Sequence, residues 1–159
     1  LSPTAGPCDR RVVDQRSDVA VFNSAPLQTA LQLCGRPLLK LRVSADQPSF
    51  DVCAALSRIP ADREEVQQLS TGVLRVRRSM DAEHSQITLE LQPLFVSFQA
   101  GDQLRLSLAG ASWPAIGVNP GDGEQRFGPT NSKCRVITLF LDLDEATLRM
   151  APLLVPQAG

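Results

Sequence analysis

Apolar and polar residues alternate along most of this chain with a period of two residues. The clearest alternating runs are residues 39–43, 50–56, 74–76, 87–91, 104–108 and 137–143. Successive side chains of a β-strand point to opposite faces, so this pattern predicts strands with one face in a core and the other in solvent. In the last run, Leu139, Leu141 and Leu143 are expected to share one buried face.

Turn-forming residues separate these runs, at 45–48, 60–62, 100–102 and 119–123. Several short strands joined by such turns are typical of β-sandwiches and jelly rolls. Helix signals are few. Ser24 is a suitable N-cap for one or two turns within residues 24–33, and residues 62–68 fit either a helical turn or a long hairpin loop. The sequence therefore predicts an all-β jelly-roll sandwich with one or two short helical turns.

The length of 159 residues suits one domain, covering residues 1–159. Because the sequence starts at Leu1 rather than at a methionine, we expect it to be part of a longer protein. The ends, residues 1–13 and 154–159, are expected to be loosely ordered. The Pro- and Gly-rich stretch 114–129 is long for a sandwich loop, and long ordered loops are often functional.

Charge and hydropathy argue against two classes of partner. The formal net charge is −1, with 16 Lys and Arg against 17 Asp and Glu scattered among them, so no basic stripe is present to bind nucleic acid. No apolar run approaches the ~20 residues that a membrane-spanning helix needs. We expect neither nucleic acid nor a membrane as a partner.

Four cysteines lie far apart in the sequence: Cys8, Cys34, Cys53 and Cys134. They form no closely spaced pair of the kind that zinc sites use, and a chain this rich in apolar residues does not need a disulfide framework. The last three lie in apolar segments and are interpreted as reduced core residues. This pattern predicts a cytoplasmic protein without a metal or other cofactor.

Ser112 lies in the segment GASWP, residues 110–114, which resembles the G-x-S-x-G elbow of serine hydrolases except for its last residue. That elbow needs glycine on both sides of the serine because its turn is strained, and here Pro114 occupies the last position. The residues that follow do not form a helical pattern. A serine nucleophile also needs a base, and the only histidine, His84, lies in a separate polar segment. We expect no catalytic residue in this chain.

Other chemically interesting residues have simpler structural interpretations. A single histidine cannot build a metal site. Acidic and basic side chains that alternate with apolar residues are expected on the solvated faces of strands. These side chains are Asp142, Asp144 and Glu145 near the end of the chain, and Arg75, Arg77 and Arg78 in the middle.

Several stretches resemble, in their order and spacing, the C-terminal non-catalytic domain of X-Pro dipeptidyl-peptidase-like hydrolases, a family that includes cocaine esterase and glutaryl acylase relatives. The stretches are VDQRSDV at 13–19, NSAPL at 23–27, the glycine-led strand at 35–44, SADQPSFDVCAALSRI at 44–59, LSTGVLRVRR at 69–78, and the closing segment at 91–124. The resemblance runs from about residue 14 to residue 124 and more loosely to residue 153. It implies a jelly roll related in shape to galactose-binding domains.

The resemblance also implies a function. In that family the catalytic Ser, Asp and His belong to an α/β-hydrolase domain that precedes the jelly roll, and none of them maps onto this sequence. The implied role is an accessory domain that packs on the catalytic domain of an X-Pro dipeptidyl-peptidase-like or esterase-like serine hydrolase and helps to shape its substrate cleft. Homo-oligomers are a further possible assembly. The residues expected at the interdomain surface or the cleft are Ser112, Trp113, Pro114 and Asn119.

One departure from the family pattern affects that surface. Relatives often carry a basic residue after the proline, whereas this chain has Ala115 followed by Ile116, which fits a more apolar interdomain contact. Two alternatives remain open at this stage. The chain is also compatible with a carbohydrate- or small-ligand-binding module that uses Trp113 or the turn carboxylates Asp122 and Glu124, and with a protein–protein adaptor.

Overall fold

The predicted all-β sandwich is confirmed by a computed structural model, which describes residues 8–77, 84–112, 115–123 and 135–152. One short helix and nine strands follow one another in this part of the chain. They are α1 (Arg11–Asp14), β1 (Val19–Asn23), β2 (Leu31–Gly35), β3 (Leu38–Ala45), β4 (Ser49–Ile59), β5 (Gln67–Arg77), β6 (Ser85–Glu90), β7 (Leu94–Phe98), β8 (Gln103–Ala109) and β9 (Leu139–Arg149).

The strands form three antiparallel sheets. A four-stranded sheet has the order β1-β8-β4-β5, a three-stranded sheet has the order β6-β3-β9, and β2 pairs with β7. The hydrophobic core lies between the four-stranded and three-stranded sheets, where Phe50 and Leu56 of β4 face the same cluster as Leu41 of β3. Burying each such side chain stabilises the fold by about 1.5–3 kcal/mol.

Strand β4 is buried on both faces from Ser49 to Ser57, and other segments lie over the two ends of its sheet. At one end α1 approaches, and Asp14 binds Arg105 of β8. At the other end residues 115–123 approach, and Asn119 binds Asp51 of β4. The outer face of β4 is therefore part of the folded interior, whereas most residues of β1 and β5 are only partly buried.

The helix expected within residues 24–33 is not present. Residues 24–30 form a loop, and the following residues form β2. Leu33 is buried and its neighbour Gln32 is less so, because this segment follows the period of a strand that pairs with β7. Ser24 does not cap a helix: its hydroxyl accepts a hydrogen bond from the backbone N–H of Leu104.

The other secondary-structure expectations have mixed outcomes. Residues 60–66 form the loop of the β4–β5 hairpin, which agrees with the hairpin interpretation of residues 62–66, whereas residues 67 and 68 belong to β5. The helix that does form, α1, begins within the segment 1–13. Residues 1–7 and 153–159 lie outside the described part of the chain.

Leu143 is half-exposed and does not share the buried face of Leu139 and Leu141, contrary to the expectation from alternation. The reason is an irregularity in the pairing of β9 with β3. The four residues 143–146 lie opposite the single residue Leu41 of β3. Such an insertion shifts which residues face inward, and Leu148 packs on the core beyond it.

Candidate functional site

The 110–123 loop, of which residues 110–112 and 115–123 are described, connects the end of β8 to the last part of the chain. Ser112 is half-buried, and its carbonyl oxygen accepts a hydrogen bond from the backbone N–H of Ile116 at 2.9 Å. Trp113 and Pro114, which were expected at the interdomain surface, lie outside the described residues. No hydrogen bond links the Ser112 hydroxyl to a histidine or carboxylate in the described part of the chain.

An ion pair between a buried carboxylate and a partly buried guanidinium lies on the outer face of the four-stranded sheet, beside this loop. Asp51 of β4 lies directly opposite Arg75 of β5, and the guanidinium binds both carboxylate oxygens, with Nε–Oδ1 and Nη2–Oδ2 distances of 2.8 Å. The carboxylate raises the pKa of Arg75 through this hydrogen bonding. Arg75 was expected on a solvated face, but its side chain is only 17 % exposed.

The loop reaches this ion pair at two points, on either side of Val118. Nη2 of Arg75 donates a hydrogen bond to the carbonyl oxygen of Gly117 at 2.9 Å. Nδ2 of Asn119 donates to Oδ1 of Asp51 at 2.9 Å. The pair therefore connects two strands of the sheet to the loop.

Asn119 is only 5 % exposed and directs its side chain into the domain. Its Oδ1 accepts hydrogen bonds from the hydroxyl of Ser49 and from the backbone N–H of Gly121, both at 3.0 Å. The Ser49 hydroxyl in turn accepts one from the backbone N–H of Gly123 at 3.1 Å. Asn119 was expected to line an interdomain surface, whereas its side chain here holds the loop together from within.

The end of the loop needs glycine at two positions. Gly121 and Gly123 have φ angles of +80° and +84°, in the left-handed region that residues with a Cβ rarely adopt. The bond from Asn119 to the N–H two residues later forms a local turn of the kind that asparagine favours. The sequence NPGDG is thus folded by its own turn chemistry against the buried side chains of β4.

The outer surface of the loop is apolar. Ile116 is 38 % exposed and Val118 is 48 % exposed. Val136 is almost fully exposed and lies on the segment that returns beside the loop, where the N–H of Arg135 donates to the carbonyl oxygen of Pro120 at 3.2 Å. We refer to Ile116, Val118 and Val136 as the apolar patch.

A cavity of about 540 Å³ opens behind the loop, between β8 and β9. Val52 and Leu108 line it from the four-stranded sheet, and Leu139 and Leu141 line it from β9. Val118 forms part of its rim. Polar side chains, among them Asp18 and Arg135, also line the cavity.

The cysteines differ in their surroundings. Burial and the nearby carboxylate of Asp51 raise the pKa of the Cys53 thiol to about 11, so it is protonated and unreactive at neutral pH. Cys34 was expected in the core but is exposed, because it lies on the outer face of the β2–β7 pair opposite the exposed Phe95. Cys8 is also exposed, and Cys134 lies outside the described residues.

The acidic cluster near the end of the chain lies on the surface of β9. Asp142 pairs with Arg42 at 3.3 Å, and Asp144 is solvated on the same strand, in agreement with a strand-surface role for this acidic cluster. Among the described residues, no group of three or more His, Cys, Asp or Glu side chains could hold a metal ion. Within the same part of the chain, no helix is long and apolar enough to cross a membrane.

Sequence reasoning missed Ser49, Asp51 and Arg75 as parts of this site. A charged Asp51 within the otherwise apolar run 50–56 was an available signal, since a buried charge requires a partner. Its partner could not be identified, because Arg75 is far away in sequence and the pairing depends on the register of two strands.

Comparison with known proteins identifies the family. The sequence profile of the X-Pro dipeptidyl-peptidase C-terminal non-catalytic domain matches residues 4–140. No curated protein sequence matches the chain. The resemblance seen in the sequence is therefore supported by a match over most of the chain.

Solved structures show the same fold at low sequence identity. An aminopeptidase from the marine sediment archaeon Thaumarchaeota archaeon has a TM-score of 0.81 and 18 % identity, over 92 % of this chain and 28 % of its own. An α-amino acid ester hydrolase has a TM-score of 0.81 and 18 % identity, over 92 % of this chain and 27 % of its own. A CocE/NonD family hydrolase from Staphylococcus aureus has a TM-score of 0.57 and 20 % identity, over 76 % of this chain and 27 % of its own.

The chain thus spans less than a third of the length of each of these proteins. The profile match covers far more than half of the chain, and the sandwich fold agrees with it. The chain belongs to the family of X-Pro dipeptidyl-peptidase C-terminal non-catalytic domains.

Proposed function

We propose that this chain is the accessory domain of a serine hydrolase and packs on the α/β catalytic domain of the same parent chain. The 110–123 loop contacts that domain and forms one wall of the substrate cleft. The observation that carries this proposal is the exposure of Ile116 and Val118 on a loop that hydrogen bonds from Arg75 and to Asp51 hold against the sheet. Contiguous apolar patches on a protein surface, unlike single exposed apolar side chains, are typical of an interaction site.

The preorganisation of the loop supports this role. A flexible loop loses conformational entropy when it binds, and this cost lowers its affinity. In this chain the loop is already held at Gly117 and Asn119, so Val118 between them is presented in a defined position. Ala115, where relatives often carry a basic residue, is exposed and adds to the apolar character of the surface.

We propose that Ser112, Trp113 and Pro114 belong to the same interdomain surface, with Trp113 as its main anchor. Buried tryptophans contribute a large share of the binding energy at many interfaces. Asn119 acts from inside the loop by holding its backbone, rather than by contacting the catalytic domain with its own side chain.

The reaction of the parent protein would be hydrolysis of an ester or amide by a serine nucleophile of the catalytic domain. The family is named for X-Pro dipeptidyl-peptidases, and the structural neighbours include an aminopeptidase and an α-amino acid ester hydrolase. All three names describe cleavage of a bond to an acyl group, which proceeds through an acyl-enzyme in serine hydrolases. We further propose that the protein acts in the cytoplasm, where exposed free thiols such as Cys34 remain reduced.

The proposal can be tested in native extract. The extract is labelled with a fluorophosphonate probe that reacts with active-site serines, and proteins carrying this domain are then captured with an antibody against it. We expect a labelled band much heavier than the 17.2 kDa of this chain. A labelled band at 17.2 kDa would overturn the proposal and assign the nucleophile to this domain. A captured protein that carries no label in any band would overturn the assignment of an active serine hydrolase.

A further inference from the structure

The 110–123 loop is held by a charged pair whose burial the sheet itself does not require. Strands β4 and β5 pair with each other from Ser49 opposite Arg77 to Arg58 opposite Gln67. Replacing a buried ion pair with apolar side chains of similar size is often neutral or stabilising. The hydrogen bonds of Asp51 and Arg75 extend beyond the two strands to Gly117 and Asn119 of the loop.

The ion pair fixes the orientation of the Arg75 guanidinium. The guanidinium is a planar fork with donors in fixed positions, and two of them bind the Asp51 carboxylate. The plane of the Arg75 guanidinium is thereby fixed, and Nη2 also donates to the carbonyl oxygen of Gly117. A lysine at this position would be a single point of charge and could not hold the carboxylate and the loop in the same geometry.

The Asp51 carboxylate binds the loop at Asn119, the residue that follows Val118. Oδ1 of Asp51 accepts both from Nε of Arg75 and from Nδ2 of Asn119. The loop is thus held at Gly117 by the cation and at Asn119 by the anion. Val118 lies between these two points with its side chain half-exposed.

We propose that Asp51 and Arg75 are positioning residues that place Ile116 and Val118 against the catalytic domain and thereby set how tightly the parent hydrolase binds its substrate. This inference rests on the proposed function, since it requires the loop to lie at the substrate cleft. The pair touches no reacting atom, so its loss should raise KM much more than it lowers kcat.

The chain provides a matched control for this pair. Arg105 is 18 % exposed, against 17 % for Arg75, and it also binds a buried aspartate, Asp14. It lies at the other end of the same sheet, where Asp14 belongs to α1. Loss of Arg105 should therefore disturb the fold in a similar way without moving the 110–123 loop.

The experiment uses the full-length parent hydrolase with Arg75→Met and Arg105→Met. Methionine keeps most of the apolar stem and removes the donors. KM and kcat are measured with p-nitrophenyl butyrate, with active sites counted by fluorophosphonate titration so that only folded enzyme contributes. Hydrogen exchange of the N–H groups of Gly121 and Gly123 reports the order of the loop.

We expect Arg75→Met to raise KM by about tenfold, to leave kcat per active site within about twofold, and to speed exchange in the loop. Arg75→Lys should give an intermediate KM. Arg105→Met should leave both KM and loop exchange unchanged. Equal effects of the two methionine variants on KM, or no effect of Arg75→Met, would overturn the positioning role. If Arg75→Met does not fold, the double variant Asp51→Asn with Arg75→Met removes the unpaired charge and takes its place.

A further variant separates this inference from the proposed function. Val118→Asp leaves the ion pair intact and places a charge on the apolar patch. If Val118→Asp raises KM and Arg75→Met does not, the proposed contact stands and the positioning role is wrong. If neither variant changes KM, the 110–123 loop does not contribute to the cleft and both proposals fail.

Discussion

Gly72 of β5 lies directly against the backbone of Glu90 at the end of β6. A Cβ at Gly72 would be 2.7 Å from the carbonyl oxygen of Glu90 and 3.2 Å from the Cα of Leu91. The four-stranded and three-stranded sheets therefore approach each other here more closely than any residue with a side chain would permit. This contact closes one side of the sandwich, opposite the side on which the cavity opens beneath the 110–123 loop.

We expect Gly72→Ala to destabilise the domain by about 2–3 kcal/mol, because the added methyl group must displace backbone rather than a flexible side chain. The free energy of unfolding is measured by urea denaturation. Gly117→Ala is the control, since a Cβ there meets no atom within 4 Å. It should change the free energy of unfolding by less than about 1 kcal/mol. A Gly72→Ala protein as stable as wild type would show that the sheets can separate at this point without cost.

The irregular pairing of β9 leads to a second prediction. Leu141 packs against the core and Leu143 is half-exposed, although the two residues are only two positions apart. Leu141→Ala should destabilise the domain by about 2 kcal/mol or more, whereas Leu143→Ala should cost less than about 1 kcal/mol. Equal losses in urea denaturation would indicate that β9 keeps a regular alternation and that residues 143–146 do not form an insertion.

Alternation of apolar and polar residues is clearest in β3 and β6, where one face alone enters the core. In β3 and β6, buried Leu41 and Ile87 alternate with less buried polar neighbours, so the period of two is visible in the sequence. The same reasoning did not predict β1, β2 or β7. The prediction that Leu143 is buried was wrong, because an irregularity in strand pairing changes which residues face inward without changing the alternation of apolar and polar residues in the sequence.

The site was predicted only in part, because its members are distant in sequence. The resemblance to a family indicated the region from Ser112 to Asn119. It did not indicate Asp51 or Arg75, which meet only when β4 and β5 pair in the observed register. The burial of Asn119 was also not predictable, since a loop residue followed by Pro and Gly is usually solvated.

Asp102 leads to a third prediction. It is buried between β7 and β8, and its carboxylate accepts hydrogen bonds from the backbone N–H groups of Ala61 and Gln99 at 3.1 and 2.8 Å. It also pairs with Arg58 at 2.9 Å. Asp102→Ala leaves these donors without their acceptor and should destabilise the domain by about 3 kcal/mol.

The control for this variant is Asp62→Ala, because the Asp62 side chain is exposed and lies in the neighbouring hairpin loop. It should leave the free energy of unfolding within about 0.5 kcal/mol of wild type. Urea denaturation of both variants measures the difference. If Asp102→Ala and Asp62→Ala are equally mild, the carboxylate of Asp102 does not organise the turn.

The fourth prediction concerns how readily each cysteine thiol reacts with a reagent in solution. At neutral pH in the folded state, Cys8 and Cys34 should react quickly with a thiol reagent such as DTNB, because both are exposed. Cys53 should react only when the domain unfolds, because it is buried and its raised pKa keeps it protonated. Peptide mapping after alkylation identifies which cysteine has reacted. Rapid alkylation of Cys53 in folded protein would contradict the buried position of the outer face of β4.

The same thiol should make the stability of the domain depend on pH in the alkaline range. Burial, together with the charge of Asp51, raises the pKa of Cys53 from its ordinary value of 9.0 to about 11. Below pH 9.0 the thiol is protonated in both the folded and the unfolded chain, so the full stability is present. As the pH rises from 9.0 to about 11, the unfolded chain loses this proton while the folded chain retains it, and stability falls. The loss at the upper end should be about 2–3 kcal/mol.

This loss can be isolated by comparison with a variant that lacks only this thiol, because the sequence contains no tyrosine and the other ionising groups, two lysines and three further cysteines, are present in both proteins. Urea denaturation of wild type and Cys53→Ala is compared at several alkaline pH values. The variant has lower stability at neutral pH because it leaves a cavity, but its stability should fall less steeply with pH than that of wild type. Parallel pH profiles would mean that Cys53 ionises as readily in the folded chain as in the unfolded one. In that case the outer face of β4 would be open to water near Asp51, and the ion pair that holds the 110–123 loop would be solvated rather than buried.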